Sequence, residues 1–345
     1  MSTVLRRVLG LAAGCALAVL VMASGCEAGA GVLQKVRARE HVICGIANGR
    51  KGYSATDGEG SWSGIGVDFC RALAVAVLGN RDAVRFRVVA PEERLAVLQS
   101  GEVDVLSGSL AFSSSSDTAL GIRFPGVLVY GGQGFLVRKA QGVASALELS
   151  GARICVSADT DDAQGIGEYF GGLRMPYELS KLDSWQSAVA AYADKSCQVL
   201  SGDVAALAAA RQKLADAGEH IILPEYAARR LEGPAIRQGD EAWFAVVRWV
   251  IYALVAAEEL GITSANADAM KASTNVRVRR FLGLDSDLGA RLGLAADWTQ
   301  RVIRQVGNYG ELFERHLGPK SPLKLERGLN GLAGNGGLHY APSFR

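Results

Sequence analysis

After residue 40 the chain alternates short apolar segments with segments whose apolar residues recur every three or four positions. In the first half the short apolar segments are 41–47 and 103–106, segment 84–89 alternates with the period of two that is typical of a strand, and the segments with helical spacing are 67–78 and 91–100. Short apolar runs bounded by turn residues predict buried strands, and a spacing of three and four predicts helices. Region 48–63, rich in Gly, Ser and Asp, is expected to be a loop. The order strand, helix, strand predicts an α/β fold with a mostly parallel sheet flanked by helices.

The second half repeats this order. Its predicted strands are 153–156 and 197–200, and its predicted helices are 163–170, 184–193 and 204–217. A shared tetrapeptide marks the correspondence, because Val105-Leu106-Ser107-Gly108 recurs as Val199-Leu200-Ser201-Gly202 after a helix and a short turn. The repeat predicts two α/β lobes. Ligands of open α/β sheets bind beyond the carboxyl ends of the strands, so the two tetrapeptides are expected to face each other across a cleft.

The chain after Pro234 has a helical pattern. The predicted helices are 241–258, 276–282 and 298–317. Residues 318–345 carry many Gly and Pro with little periodicity, and they are expected to wrap a surface rather than build a core.

The first thirty residues have the pattern of an export signal. Arg6 and Arg7 precede the apolar run 8–23, which has no polar face and is too short for a membrane span. Two cleavage alternatives stay open. Cleavage after Ala30 would remove a signal peptide of residues 1–30, whereas the segment ending at Cys26 resembles a lipobox, whose Cys would be acylated and become the mature N-terminus. We therefore expect a periplasmic or extracytoplasmic protein, with or without a lipid anchor.

Composition excludes several classes of function. The chain has 345 residues, 49% apolar and 21% charged, which is typical of a globular protein of about two domains. Its net charge of +2 is accounted for by Arg6 and Arg7, so the remainder has no basic excess for nucleic acid or an anionic membrane. The 4 His and the Cys form no cluster at ligand spacing. We expect no metal site and no cofactor.

Four cysteines follow the predicted leader: Cys44, Cys70, Cys155 and Cys197. An even number in an exported chain indicates disulfides, and four Cys allow three connectivities. The sequential pairing, Cys44–Cys70 and Cys155–Cys197, keeps each bridge within one half of the chain, and we predict it. Four buried free thiols remain the alternative.

Several motifs are similar to those of one known family. They are Val42-Ile43-Cys44-Gly45, the run 62–72 (WSGIGVDFCRA), the run 98–107 (LQSGEVDVLS), Gly132-Gln133-Gly134-Phe135, Gly307-Asn308-Tyr309-Gly310-Glu311 and the run 336–342 (GGLHYAP). With these motifs the chain resembles the periplasmic solute-binding proteins of polar amino-acid ABC transporters (family 3), specifically the general L-amino-acid-binding subfamily. The likeness extends over nearly all of the chain after the leader.

The resemblance implies a periplasmic-binding-protein-like fold, with two lobes joined by two crossing strands near 132–137 and 233–237. Lobe 1 would comprise residues 31–134 and 236–345, and lobe 2 residues 135–235. The implied function is that of an extracytoplasmic solute-binding protein of an amino-acid-type ABC uptake system. Such a protein is a monomer that hands a small molecule to a membrane permease and is not an enzyme.

The resemblance also implies ligand contacts. Tyr53 lies where the family places an aromatic ring over the ligand, Ser109 matches a backbone-and-hydroxyl contact, and Asp203 lies where the family binds the α-amino group. Asp203 also directly precedes a predicted helix, so an N-cap is its alternative role. Asp68 is expected to support the first long helix.

Two departures from the family pattern concern the ligand carboxylate. Ser116 stands where the family has an Arg, whose planar donors bind a carboxylate bidentately. Asp159, Thr160 and Asp161 stand where the family has Gly-Thr-Thr, whose helix-start amides receive the carboxylate. Acids at a helix start also suit the helix dipole. A diverged pocket follows, suited to a cationic ligand without a free carboxylate, such as an amine or an amidated compound.

Two alternative functions stay open. One is a degenerate binding or sensor protein whose cleft no longer closes on a small molecule. The other is a dehydratase on the same scaffold, with Asp159, Asp161 and Asp203 as general acids or bases. No His or nucleophile motif accompanies these carboxylates, and an acidic substrate would be repelled by them.

Overall fold

The computed structural model describes residues 31–345 except Gly58, Ser109, Leu120 and Asp159. The predicted signal peptide and Cys26 lie outside the described residues. The described strands are β1 Val42–Ile46, β2 Ala55–Thr56, β3 Trp62–Ser63, β4 Val84–Val88, β5 Val105–Leu106, β6 Ala111–Phe112, β7 Ile122–Arg123, β8 Val129–Arg138, β9 Arg153–Ser157, β10 Glu178–Leu182, β11 Val199–Asp203, β12 His220–Ile222, β13 Ala228–Glu232 and β14 Ile236–Arg237.

The α-helices alternate with these strands in the first two thirds of the chain and follow one another in the last third. They are α1 Val32–Arg39, α2 Ile65–Leu78, α3 Arg94–Ser100, α4 Ser114–Ala119, α5 Asp162–Gly172, α6 Trp185–Ala193, α7 Val204–Arg211, α8 Glu241–Glu259, α9 Val276–Phe281, α10 Leu288–Arg291, α11 Trp298–Val306 and α12 Tyr309–His316. Among the described residues, none of these helices combines the length and the apolar character that a membrane crossing requires.

The first sheet has the strand order β4-β1-β5 and is entirely parallel, with Cys44 paired to both Phe86 and Val105. Strand β1 has the apolar sequence VICGI and is almost fully buried. Helix α2 packs beside it and against α8, α11 and α12. The main core of the protein therefore joins residues from both ends of the chain.

The second sheet has the order β10-β9-β11-β8-β13-β6, and β12 also pairs with β8. Only β9, β10 and β11 run parallel; β8 is antiparallel to β11, β12 and β13. The prediction of a mostly parallel sheet is thus correct for the first sheet and wrong for the second. The resemblance placed a crossing strand near 132–137, within β8, but its antiparallel pairing was not predicted; β8 contains Gly131, Gly132 and Gly134, which disfavour strands on propensity alone.

Glycine is required in β8 by close approach of a neighbouring strand. A Cβ at Gly132 would lie 2.6 Å from the Ala228 carbonyl oxygen and 2.6 Å from the Tyr226 ring. The backbones of β8 and the segment before β13 pack too closely at this point for any side chain.

Three predicted segments differ from the structure at their boundaries. The predicted loop 48–63 includes the short hairpin β2–β3, and the helix predicted over 204–217 ends at Arg211. The helix predicted over 298–317 is two helices. Its break lies at Gly307, whose φ of 105° is not helical, and Asn308 caps the second helix with its side chain.

The tail 318–345 builds part of the core instead of only wrapping a surface, which corrects that expectation. Asn330 is 6% exposed; its amide donates to the Tyr130 carbonyl (2.9 Å), and its Oδ1 accepts from the Tyr130 backbone N–H (2.8 Å). His339 is also buried, with its ring 4.2 Å from that of Tyr309 and 4.9 Å from that of Tyr130. The tail is therefore fastened to the beginning of β8.

His339 is expected to make stability depend on pH. Its Nε2 is buried without a hydrogen-bond partner, and burial, aided by Arg327, lowers the pKa of His339 to about 4. The unfolded chain binds this proton near pH 6.5, so the free energy of unfolding should fall as the pH drops from 6.5 to about 4, by at most about 3 kcal/mol. Urea unfolding across this range measures the loss, and His339→Leu should flatten it. An unchanged slope in that variant would contradict the assignment.

Both predicted disulfides are present. Cys44 and Cys70 tie β1 to α2, with Cα atoms 6.3 Å apart, and Cys155 and Cys197 join β9 to the segment before β11, with Cα atoms 5.8 Å apart. The four sulfurs are buried. The alternative of four free thiols is excluded in this structure.

Candidate functional site

A cavity of about 400 Å³ lies between the loop after β1, the first half of α6 and the length of α7, and its lining includes Lys51 and Lys213. That volume is in the range of small-molecule sites. Its walls include Arg50 and Tyr53 on one side and Trp185 and Asp203 on the other. Small side chains of α7 leave the space open: Ala205, Ala206, Ala209 and Ala210.

Tyr53 is held by the tight turn that precedes β2. Its backbone N–H donates to the Arg50 carbonyl (3.0 Å), and its side chain is buried. The guanidinium carbon of Arg50 lies 4.4 Å from the centre of the Tyr53 ring. Burial, together with the negative charges of Asp203 and Glu232, holds the pKa of the Tyr53 hydroxyl well above its usual value. The ring is therefore a neutral wall of the cavity.

Arg50 connects the two sides of the site. Its guanidinium forms a two-pronged pair with Glu232, with Nη2–Oε1 at 2.8 Å and Nη1–Oε2 at 3.3 Å, and it donates to the Gly108 carbonyl. Nη2 also lies 4.0 Å from Oδ2 of Asp203. Burial lowers the pKa of Arg50, but the negative charges of Glu232 and Asp203 raise it by more, so the pKa lies above its usual value. Arg50 therefore stays charged in the cavity wall.

Asp203 ends β11 and begins α7. Its Oδ1 accepts from the backbone N–H groups of Ala205 and Ala206, both at 3.1 Å, which confirms the N-cap role. Its Oδ2 faces Arg50, and the side chain is 18% exposed. Burial raises the pKa of Asp203, and the Arg50 charge opposes that rise. One carboxylate oxygen is thus committed to the helix and the other faces the cavity.

Of the two predicted serine contacts, Ser116 does not line this cavity. Ser116 is buried in the first turn of α4, where its hydroxyl donates to the Ser113 carbonyl (3.0 Å) and accepts from the Ser113 N–H (3.0 Å). Ser109 lies outside the described residues. Arg123, the nearest arginine after Ser116 in sequence, stacks on Phe244 at 5.0 Å.

Two acids at the start of α5, Asp161 and Asp162, are paired within the protein. Asp159 lies outside the described residues. Asp161 is in the N-cap position but makes no cap hydrogen bond; its carboxylate pairs instead with Arg230 of β13. Arg230 also binds the buried Asp162 at 2.7 Å, and the Thr160 hydroxyl donates to the same carboxylate at 2.8 Å. The repulsion expected from Asp161 is therefore offset by Arg230, a cation that the sequence did not reveal.

Asp68 lies in α2, remote from this cavity. Its buried carboxylate accepts from Arg71 (2.8 Å), Arg315 (2.6 Å) and His316 (2.7 Å). The expected supporting role is confirmed. Within the part of the chain that the structure describes, no group of three or more His, Cys, Asp or Glu side chains is arranged to hold a metal ion.

Sequence reasoning missed Arg50, Glu232 and Trp185. Arg50 had an available signal, because it lies in a Gly-Arg-Lys-Gly turn at the carboxyl end of a parallel strand, where ligands bind. Glu232 and Trp185 had none: both enter the site through tertiary packing.

Two α/β sheets with a charged cavity between the ends of their strands are the architecture of a solute-binding protein. The chain belongs to the bacterial extracellular solute-binding proteins, family 3, whose family model matches residues 42–265. It is 46% identical to the general L-amino acid-binding periplasmic protein AapJ of Rhizobium johnstonii, over 96% of this chain and 98% of that protein. It is 42% identical to the glutamate/glutamine/aspartate/asparagine-binding protein BztA of Rhodobacter capsulatus, over 96% of this chain and 97% of the relative.

One solved structure is similar to this chain over nearly the whole length of this chain. A periplasmic binding protein of an ABC transporter from Brucella ovis, with glutathione bound, is 42% identical, with a TM-score of 0.82; the match covers 92% of this chain and all of that one. These findings confirm the predicted family, the periplasmic-binding-protein-like α/β fold and the function as a solute-binding protein of an amino-acid-type ABC uptake system. The lobe boundaries, the ligand contacts and the divergence of the pocket stay predictions.

Proposed function

We propose that this protein acts in the periplasm and delivers to its permease a small solute with a cationic amino group. The observation that carries the proposal is the Asp203 carboxylate, which faces the 400 Å³ cavity beside the buried ring of Tyr53. Oδ2 of Asp203 lies 4.0 Å from Arg50, beyond hydrogen-bond distance. An ammonium can therefore approach it at the ordinary 2.7–2.9 Å of a charged hydrogen bond.

The lobes in this proposal are 31–134 with 236–345, and 135–235, and the solute binds as they close. Tyr53 and Trp185 supply aromatic walls for its body. Ser109, Thr160, Asp159 and Asp161 are assigned to the cleft only by resemblance. The protein works as a monomeric carrier and not as a catalyst, in keeping with its membership of a family of solute-binding proteins.

The solute is further proposed to lack a free α-carboxylate. Ser116 offers no guanidinium, and its hydroxyl is engaged with Ser113. Arg50 does line the cavity, but Glu232 occupies the Nη1–Nη2 edge of its guanidinium, and the other lining cations, Lys51 and Lys213, lack a planar fork. The names of the relatives point to amino acids and, for the Brucella ovis protein, to glutathione. This chain would therefore have kept their scaffold and amino-group contact while changing the carboxylate contact.

Calorimetry with matched ligands tests this proposal. Each L-amino acid is paired with its α-amide, which differs only in the carboxylate, and glutathione is added as a larger probe. We expect amides to bind about tenfold or more tightly than the acids, and the common acids to bind only above about 100 μM. Submicromolar binding of L-glutamate or L-alanine would refute the divergence.

Asp203→Asn is the matched variant. Asparagine keeps the N-cap of α7 and the shape of the side chain, so folding should be preserved. Loss of a charge-assisted hydrogen bond costs about 1.5–3 kcal/mol, so amide affinity should fall about ten- to a hundredfold. Unchanged amide binding in this variant would remove Asp203 from the site. A wild-type protein that binds neither acids, amides nor glutathione would instead favour the degenerate binding or sensor protein.

A further inference from the structure

The Arg50–Glu232 pair has the geometry with which an arginine binds the carboxylate of a ligand. Each terminal nitrogen of the guanidinium contacts one oxygen of the carboxylate, Nη2 with Oε1 at 2.8 Å and Nη1 with Oε2 at 3.3 Å. Planar two-pronged contact of this kind is the strongest arrangement available to the two groups. Tyr53 supports the guanidinium from one face at 4.4 Å. The site thus contains a preorganised carboxylate receptor, and the protein itself supplies the carboxylate.

Glu232 is fixed in this position by the second sheet. It is the last residue of β13, where it pairs with Val129 of β8 and Ala111 of β6. The residue is 5% exposed, whereas the side chain of Arg50 keeps 28% of its surface and lines the cavity. A ligand therefore meets Arg50 from the cavity side, while Glu232 binds it from the protein side.

A ligand carboxylate can gain the Nη1–Nη2 edge of Arg50 only by displacing Glu232. Otherwise it is left with the side-on edge of a guanidinium whose charge Glu232 already balances. Displacement would leave the Glu232 charge buried without its partner, and breaking one side of a buried ion pair is strongly destabilising. A neutral amide or an amine makes no such demand. We propose that Glu232 is a specificity-determining residue, which excludes ligands with a free carboxylate by occupying Arg50 as an internal carboxylate. The inference rests on the proposed function, since it concerns the same cavity and the same solute.

Glu232→Ala with acetate tests the inference directly. Alanine keeps Cβ and removes the terminal methylene and carboxylate of Glu232, which is the outline of an acetate ion. Sodium acetate should raise the thermal midpoint of the variant above that in sodium chloride of equal ionic strength, because a bound anion stabilises only the folded state. Wild type should show no such difference. L-Alanine should bind the variant about tenfold or more tightly than it binds wild type.

Two further variants separate this role from a merely structural one. Arg50→Gln combined with Glu232→Ala lacks the receptor and should lose both the acetate effect and the gain in L-alanine affinity. Glu232→Gln keeps the side-chain volume and weakens the pair, so it should gain affinity for L-alanine with less disturbance of the fold. Failure of both single variants to fold even in excess acetate would count against the proposal, because acetate supplies the missing carboxylate.

The outcomes distinguish this inference from the proposed function. Folded Glu232→Ala and Glu232→Gln proteins that bind amides but respond to neither acetate nor L-alanine would overturn the role of Glu232 and leave the amino-group site intact. Absence of amide binding in wild type would refute the proposed solute, whereas the acetate response of Glu232→Ala would still report on the receptor.

Discussion

Asp68→Ala is expected to lower the free energy of unfolding by about 3–5 kcal/mol, the usual loss when one partner of a buried ion pair is removed. Asp68 is 1% exposed and accepts from Arg71, Arg315 and His316. Without the carboxylate, the buried His316 and the partly exposed Arg71 and Arg315 lose their shared hydrogen-bond acceptor and counter-charge. Urea unfolding followed by circular dichroism near neutral pH measures the change.

The pKa of Asp68 sets the pH range of this contribution. Burial would raise the pKa, but His316, Arg71 and Arg315 together lower it well below its usual value. The stabilisation is therefore complete above the ordinary carboxyl pKa and is lost as the pH falls below it. Asp285→Ala is the control, because the Asp285–Arg279 pair is exposed to solvent and its loss should leave the free energy of unfolding nearly unchanged. Equal effects of the two substitutions would contradict the buried-pair argument.

Replacing Cys155 and Cys197 together by Ala should lower the free energy of unfolding by about 4 kcal/mol. The reason is chain entropy, since this bridge closes a loop across 42 residues in the unfolded state. The Cys44–Cys70 bridge spans 26 residues and should contribute slightly less, about 3.5 kcal/mol. Denaturant unfolding of the oxidised protein and of the two double variants measures both values. Free thiols titrated in the unreduced, unfolded protein would show that the bridges do not form.

Much of the fold could be predicted from the sequence because the strands of the first sheet have clear local patterns. Strands β1 and β5 are largely buried and appear as apolar runs, and β4 shows the period-two alternation of a half-buried strand. The helices between them have a clear apolar stripe. The second sheet was only partly readable. Strand β8 carries glycines where Tyr226 and Ala228 approach it, and this packing requirement hides the strand pattern.

The site was half predictable for a similar reason. Tyr53 and Asp203 directly follow strand ends, a local signal, and the structure places both on one cavity. Arg50 and Glu232 are 182 residues apart in sequence, and no local pattern links them. Arg230 and Asp161 likewise meet only through the pairing of β13 with β8.

The contact of α2 with α11 and α12 has a consequence for the time course of folding. Asp68 and Arg315 are separated by 247 residues, which a ribosome adds in about 12–50 s at about 5–20 residues per second. Throughout that interval the part of the apolar face of α2 that α11 and α12 later cover lacks those two helices. Contacts of such long range also form slowly once the chain is complete. Until its last helices are made, the nascent protein therefore exposes an apolar helix surface of the kind that chaperones bind.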